Sequence, residues 1–299
     1  MDIKASAVQF APISLQPDRN LEAMCGFINK AAAEGAQLVV FPELSDLGYV
    51  KWPKQRKEMT FLNTYIESCS TIPGKSVNIL GLSAKKNSVY VVAGLAEQDP
   101  LVPSKVYNSA ALIGPDGKVI GVQRKNSYTV AEMFYFSRGN GHDVFDTDFG
   151  KLGITICYDN WIPENSRVQT LKGMDVLCSV WNLGYSNPER LDGCDCPNGF
   201  QPNTVIDTAL VRALENVVYV ISSNRTGFDE FSGINFFGNS SIVAPWGENI
   251  VVGEFDTEQV ITADLKFDEL KKLRSTRHLL KDRRPELYGI ISEINEPVK

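Results

Sequence analysis

Of the six cysteines in the chain, Cys157 stands where a thiol could act. It follows Ile154, Thr155 and Ile156, a run suited to a buried strand. A few residues on, Pro163 and Glu164 open a helix, with proline at its first position and acid in its first turn. Strand ends are where α/β proteins place their chemistry. A thiol with an ordinary pKa of about 8.5 is only a few per cent ionised at neutral pH, so a nucleophilic Cys157 needs a base. Histidine is the usual base, but the chain has only His142, in the glycine-flanked loop RGNGHDVFD, and His278, in a charged C-terminal stretch. Both read as surface residues. A carboxylate can serve instead if its surroundings raise its pKa. Glu43 follows the apolar run Leu38, Val39, Val40 and Phe41. Lys125 closes VIGVQRK, with Arg124 pointing to the opposite face of that strand, and Glu132 lies beside Met133, Phe134, Tyr135 and Phe136. Each has a plainer reading alone: a core cysteine, a loop acid, an edge-strand charge pair, a rim glutamate. A glutamate, a lysine and a cysteine at three successive strand ends form a constellation.

The elements that would hold these residues alternate along the chain. IKASAVQF, AQLVVFPE, VYVVAGLAEQ, DVLCSVWN and VVYVISSN read as strands. DRNLEAMCGFINKAAAEG reads as a helix ending at Gly35, a second helical region runs from about Glu58 to Lys86 with a break near Pro73 and Gly74, and a third runs from about Thr204 to Asn216. AALIGPDGKVIGVQRK and SIVAPWGENIVVGEF are hairpins with similar turns, weak evidence for an internal duplication. Parallel βα units with antiparallel hairpins at both edges imply an α/β fold, a mixed sheet or two packed sheets with helices outside. No Pro/Ser-rich linker divides the chain, so one domain is expected over residues 1–265. The charged tail 266–299 is expected to pack on that domain or on a neighbouring subunit.

Composition narrows the function. The chain has 299 residues, 43% hydrophobic and 22% charged, enough for a large core. A net charge of −6 with scattered basic residues argues against nucleic acid as a partner. No stretch reaches the apolar length of a membrane helix, and MDIKASAVQFAPI turns polar before a signal-peptide core can form, so a cytoplasmic protein is expected. Six cysteines are too sparse for a disulfide scaffold. Cys25, Cys69 and Cys178 read as small apolar residues, and Cys194 and Cys196, in a long loop, are a weak metal signal with no second pair, so no metal is expected.

The blocks VVFPELSDLGY around Glu43, VQRKNS at Lys125 and CYDNWIPENSR at Cys157 resemble the nitrilase, or carbon-nitrogen hydrolase, superfamily. YNSAALIGPDGKVIG, RALENVVYVISSNR, SSIVAPWGEN and LKDRRPELYG extend the resemblance over nearly the whole chain. It implies a four-layer α-β-β-α sandwich of the nitrilase type that assembles into a homodimer or larger homo-oligomer. It also implies a catalytic Glu43–Lys125–Cys157 triad, with Glu132 as the family's second glutamate, and no metal or organic cofactor. Ser127 replaces the histidine that many relatives carry two positions after the lysine. Tyr158 and Asp159 replace the Trp-Glu that tends to follow the cysteine in true nitrilases, which points to the amidase and carbamoylase branches. Tyr49, Tyr158, Trp181 and Asn182 are candidate substrate contacts, and Trp161 lies close to the nucleophile; for Trp161 and Trp181, core or subunit packing is the competing reading. The expected activity is hydrolysis of a small linear amide or N-carbamoyl compound through a thioester, with release of ammonia. The alternatives are conversion of a nitrile to an acid, or a non-catalytic binding member of the same fold.

Overall fold

Two six-stranded sheets face each other across a shared core in the computed structural model, which describes residues 2–50, 60–185 and 201–293. In chain order the first part is β1 (Ile3–Gln9), α1 (Pro17–Ala33), β2 (Leu38–Val40), α2 (Thr60–Ser68), α3 (Lys75–Asn87), β3 (Tyr90–Gln98), β4 (Val106–Ile113) and β5 (Val119–Arg124). The second is β6 (Val144–Thr147), β7 (Gly150–Ile156), α4 (Pro163–Leu171), β8 (Val176–Trp181), β9 (Gly184–Tyr185), α5 (Thr204–Asn216), β10 (Tyr219–Asn224), β11 (Thr226–Asp229) and β12 (Ile234–Phe237). It continues through β13 (Ser241–Val243), β14 (Asn249–Val252), β15 (Gln259–Leu265) and α6 (Phe267–Thr276).

The sheets have the orders β15-β1-β2-β3-β4-β5 and β14-β13-β10-β8-β7-β6. Each has three parallel strands at its centre, an antiparallel hairpin on one side and a single antiparallel strand on the other. The hairpin turns match bond for bond. The N–H of Gly114 donates to Lys118 O and that of Ala244 to Glu248 O, both at 2.8 Å, and Gly117 and Gly247 each take a positive φ, +87° and +83°. The repeated turn in the sequence is thus part of a repeated sheet layout.

Strand alternation explains the layers. Ile3, Ala5, Ala7, Leu38 and Val40 face inward and meet Leu152, Ile154, Ile156, Cys178 and Val180 from the opposite sheet. Val8, Val39, Phe41 and Val91 face outward, under Leu21, Met24, Ile28 and Ala31 of α1 and Val77, Leu80 and Ala84 of α3. Central strands therefore read as unbroken apolar runs, because both faces are buried. Ala209 and Ala213 of α5 cover Leu177 and Val220 on the outer face of the second sheet. The result is an α-β-β-α sandwich. Residues 266–276 continue this packing: Phe267 and Leu270 of α6 enter the core between the sheets, and Arg274 bonds Asp175 Oδ1 at 2.6 Å.

Two expectations change in detail. The strand read over AQLVVFPE spans only Leu38–Val40, because Pro42 cannot donate to a ladder and Leu44 turns the chain with a φ of +47°. The sequence reading did not anticipate β15, which pairs with β1 along its whole length, or the small sheet β11-β12-β9.

Candidate active site

The chain leaves β2, β5, β7 and β8 at the same end of the sandwich, delivering Glu43, Lys125, Cys157 and Asn182. Local backbone geometry fixes each exit. Gly94 in β3 lets the Glu43 segment lie against the sheet, since a β-carbon there would stand 2.3 Å from Pro42 O and 2.6 Å from Glu43 Cα. Cys157 takes a φ of +47° at the start of a 3-10 turn, Cys157–Trp161, a conformation that L-residues other than Asn and Asp rarely adopt. Strain of this kind belongs at sites where a side chain must be aimed. Asn160 steadies the turn, its amide donating to Cys157 O at 3.0 Å and its Oδ1 accepting from Ser179 at 2.8 Å. Asp159 ties the turn to the end of β5, accepting the N–H groups of Asn126 and Ser127 at 3.1 and 2.8 Å.

Lys125 is fully buried, and its ammonium donates to Glu43 Oε1 at 2.7 Å and to Glu132 Oε1 at 2.6 Å. Both glutamates are also fully buried. Bringing three charges out of water costs several kcal/mol each, so they hold only as a paired set. Burial by itself would pull Lys125 down, but Glu132 and Glu43 more than offset it, and the ammonium stays charged well above the usual lysine range. Burial raises the Glu43 carboxyl above its ordinary value of 4.5, against the pull of Lys125. Burial also pushes the Cys157 thiol far above the usual range, Glu43 adds to the rise and Lys125 opposes it. Burial thus favours the neutral forms of the thiol and of the Glu43 carboxyl, and Lys125 opposes it at both.

The two glutamates differ in what remains free. Glu132 Oε2 accepts from both the N–H and the hydroxyl of Thr129 at 2.9 Å, whereas Glu43 Oε2 is buried with no hydrogen-bond partner among the described residues. The Tyr49 hydroxyl lies 3.4 Å from Thr129 Oγ1, which brings it into the same cluster. The Asn182 amide donates to Glu43 O at 2.8 Å, and its main-chain N–H donates to the Cys157 sulfur. Asn182 thus lies between the Glu43 segment and Cys157.

The other candidates fall elsewhere. Trp181 is fully buried in the same core cluster as Cys157, its ring edge-on to Trp161 at 6.4 Å and its indole Nε1 without a hydrogen-bond partner among the described residues. The Tyr158 ring is 42% exposed. His142 is half-buried beside Asn126, His278 is exposed, and the charged groups acting on the thiol are Glu43, Lys125 and Glu132. Arg124 points away from Lys125, as strand alternation requires, pairing with Glu97 at 2.5 Å. Cys194 and Cys196 lie outside the described residues. Sequence reasoning missed Asn108, whose amide bonds both glutamates, and Thr129. The available signal for Asn108 was its place in VYNSAALI, a polar residue in a strand buried on both faces, which must find partners.

Comparison with known proteins agrees with this architecture. The carbon-nitrogen hydrolase family profile matches residues 4–275. The chain is 36% identical over 290 residues to a nitrilase of Pyrococcus abyssi, covering 96% of this chain and 99% of that one. It is 30% identical over 301 residues to an N-carbamoylputrescine amidase of Arabidopsis thaliana, covering 97% and 95%. A solved carbon-nitrogen hydrolase from Helicobacter pylori superposes with a TM-score of 0.83 at 25% identity, covering 98% of this chain and 99% of that one. A match along nearly the full length, in sequence and in fold, places the chain in the carbon-nitrogen hydrolase family, as an enzyme acting on carbon–nitrogen bonds other than peptide bonds.

Proposed function

We propose that this enzyme is a cysteine-dependent amidase or N-carbamoyl amidohydrolase that releases ammonia from a small substrate through a thioester. The observation that carries the reading is the buried Glu43–Lys125–Glu132 cluster, in which Glu43 alone keeps a carboxylate oxygen free. Cys157 gives its proton to Glu43 Oε2 as its sulfur bonds to the carbonyl carbon. The oxyanion that forms is held by Lys125, which has a third N–H to offer, and by the main-chain N–H of Tyr158. Glu43 then hands the proton to the departing nitrogen as the C–N bond breaks. In the second half Glu43 takes a proton from water, the hydroxide adds to the thioester, and cleavage of the C–S bond returns that proton to the thiol. Glu132 holds Lys125 in place, and Tyr49 and Asn182 border the substrate. All of these steps use the chain's own groups.

The nitrilase of Pyrococcus abyssi, at 36% identity, keeps a second reading in play, in which the same thiol adds to a nitrile carbon. Ammonia release from aliphatic amides, ω-amides, N-carbamoyl amino acids and nitriles, with wild type and Cys157→Ala, separates the two. Release from amides or carbamoyl compounds is expected, falling at least about 10³-fold in the variant. Release from nitriles alone would establish the second reading, and full activity in the variant would remove Cys157 from the chemistry.

The same reading makes the protein a cytoplasmic homo-oligomer. Among the described residues no helix is long and apolar enough to cross a membrane. Cys25, Cys69, Cys157 and Cys178 are free thiols, which suits a reducing compartment. Val168 and Leu171 of α4 and Val211 and Leu214 of α5 are exposed apolar side chains that a second subunit would cover.

A further inference from the structure

We propose that Asn108 is a positioning residue that sets which carboxylate oxygen takes the proton from Cys157. Asn108 is fully buried near the start of β4, and its amide nitrogen donates to Glu43 Oε1 at 2.7 Å and to Glu132 Oε1 at 3.0 Å. Lys125 donates to the same two oxygens, so the four groups close a ring of hydrogen bonds: ammonium, carboxylate, amide, carboxylate. Facing two carboxylates, the amide must present its NH2, since its oxygen would meet only lone pairs. Both amide hydrogens are committed, and Glu43 Oε1 is held by two donors while Oε2 is left free. The main-chain carbonyl of Asn108 also accepts the main-chain N–H of Lys125 at 2.8 Å, so one residue fixes both the backbone of the lysine and the oxygens its ammonium meets.

The residue type follows from the charge balance. Two carboxylates around one ammonium leave an excess negative charge. A second cation at position 108 would cancel it and drain Glu43 of basicity, whereas another carboxylate would repel the pair. A neutral double donor holds both glutamates in place and leaves Glu43 able to take a proton.

This rests on Glu43 as the base, and the test separates the two ideas. The rate of Cys157 alkylation by iodoacetamide is followed against pH in wild type, Asn108→Leu and Asn108→Ser, alongside kcat and KM on the best amide and a thermal melt. Leucine has a similar shape, donates nothing and leaves no room for a water. Serine donates to only one carboxylate. The acid limb of alkylation is expected to move up by about one pH unit in Asn108→Leu and by less in Asn108→Ser. kcat at neutral pH should fall tenfold or more in Asn108→Leu with KM within about threefold. If Asn108→Leu does not fold, Asn108→Ser carries the comparison. A folded variant whose alkylation profile overlays that of wild type, or one that loses only KM, would overturn the role of Asn108. A wild-type profile with no acid limb would overturn Glu43 as base, and this inference with it.

Discussion

Glu43 and Glu132 are the same residue type, equally buried and bonded to the same two donors, yet only one has an oxygen to spare. Thr129 makes the difference, since two donors from one residue saturate Glu132 and fix it as a holder of charge. In the proposed mechanism Glu43 must be ionised to accept the thiol proton, and burial raises its pKa above 4.5. As pH falls through that raised value, Glu43 takes up a proton from solvent and can no longer accept one from Cys157. The acid limb of kcat/KM should therefore lie above pH 4.5, with the rate falling tenfold per unit below it. Glu43→Gln should abolish the limb and lower kcat by about 10² to 10⁴, and Glu132→Gln should keep the limb but move it to lower pH, since the Glu132 charge raises Glu43. A pH–rate profile of the three proteins checks this assignment.

At the scale of elements, the site depends on how closely the Glu43 segment crosses β3. A methyl group at Gly94 would meet Pro42 O and Glu43 Cα, both main-chain atoms that cannot swing aside. Gly94→Ala should displace Glu43 and lower kcat by about 10², whereas Gly26→Ala in α1, with nothing within 4 Å, should leave kcat unchanged. Steady-state kinetics on both variants test the contrast. The strand ends were legible in the sequence because Leu38 to Phe41, Val119 to Val122 and Leu152 to Ile156 are mostly apolar runs, followed within three residues by Glu43, Lys125 and Cys157 respectively. The partners of those residues were not. Asn108 lies 65 residues from Glu43 and 24 from Glu132, and only the antiparallel turn from β3 through β4 to β5 brings them together. Trp181 read as a pocket candidate because it ends β8; alternation from Val176, Cys178 and Val180 would put it on the opposite face, yet it joins them in the core between the sheets, a departure that the strand pattern could not foretell.

At the scale of the molecule, the repeated layout places the chemistry on a seam. The first sheet contributes Asn108 and is followed directly by Lys125, while the second is followed by Cys157 and Asn182. Distances across the site are thus set by how two sheets pack, which a core at crystal-like density holds firmly. The duplicated hairpin was visible in the sequence, but the pairing of the sheets was not, because it depends on contacts between residues far apart in the chain. The exposed apolar side chains of α4 and α5 add a further layer. Sedimentation should give a mass of two or more chains, and Leu171→Arg combined with Val211→Arg should reduce it; a wild-type monomer would refute the oligomer. The last strand, finally, bears on how the protein is made. β15 pairs with β1 from Ile3↔Leu265 to Gln9↔Gln259, so β1 lacks its outer neighbour until Leu265 has been synthesised, more than 250 residues later. Until then the nascent chain carries an open strand edge, a template for wrong pairing.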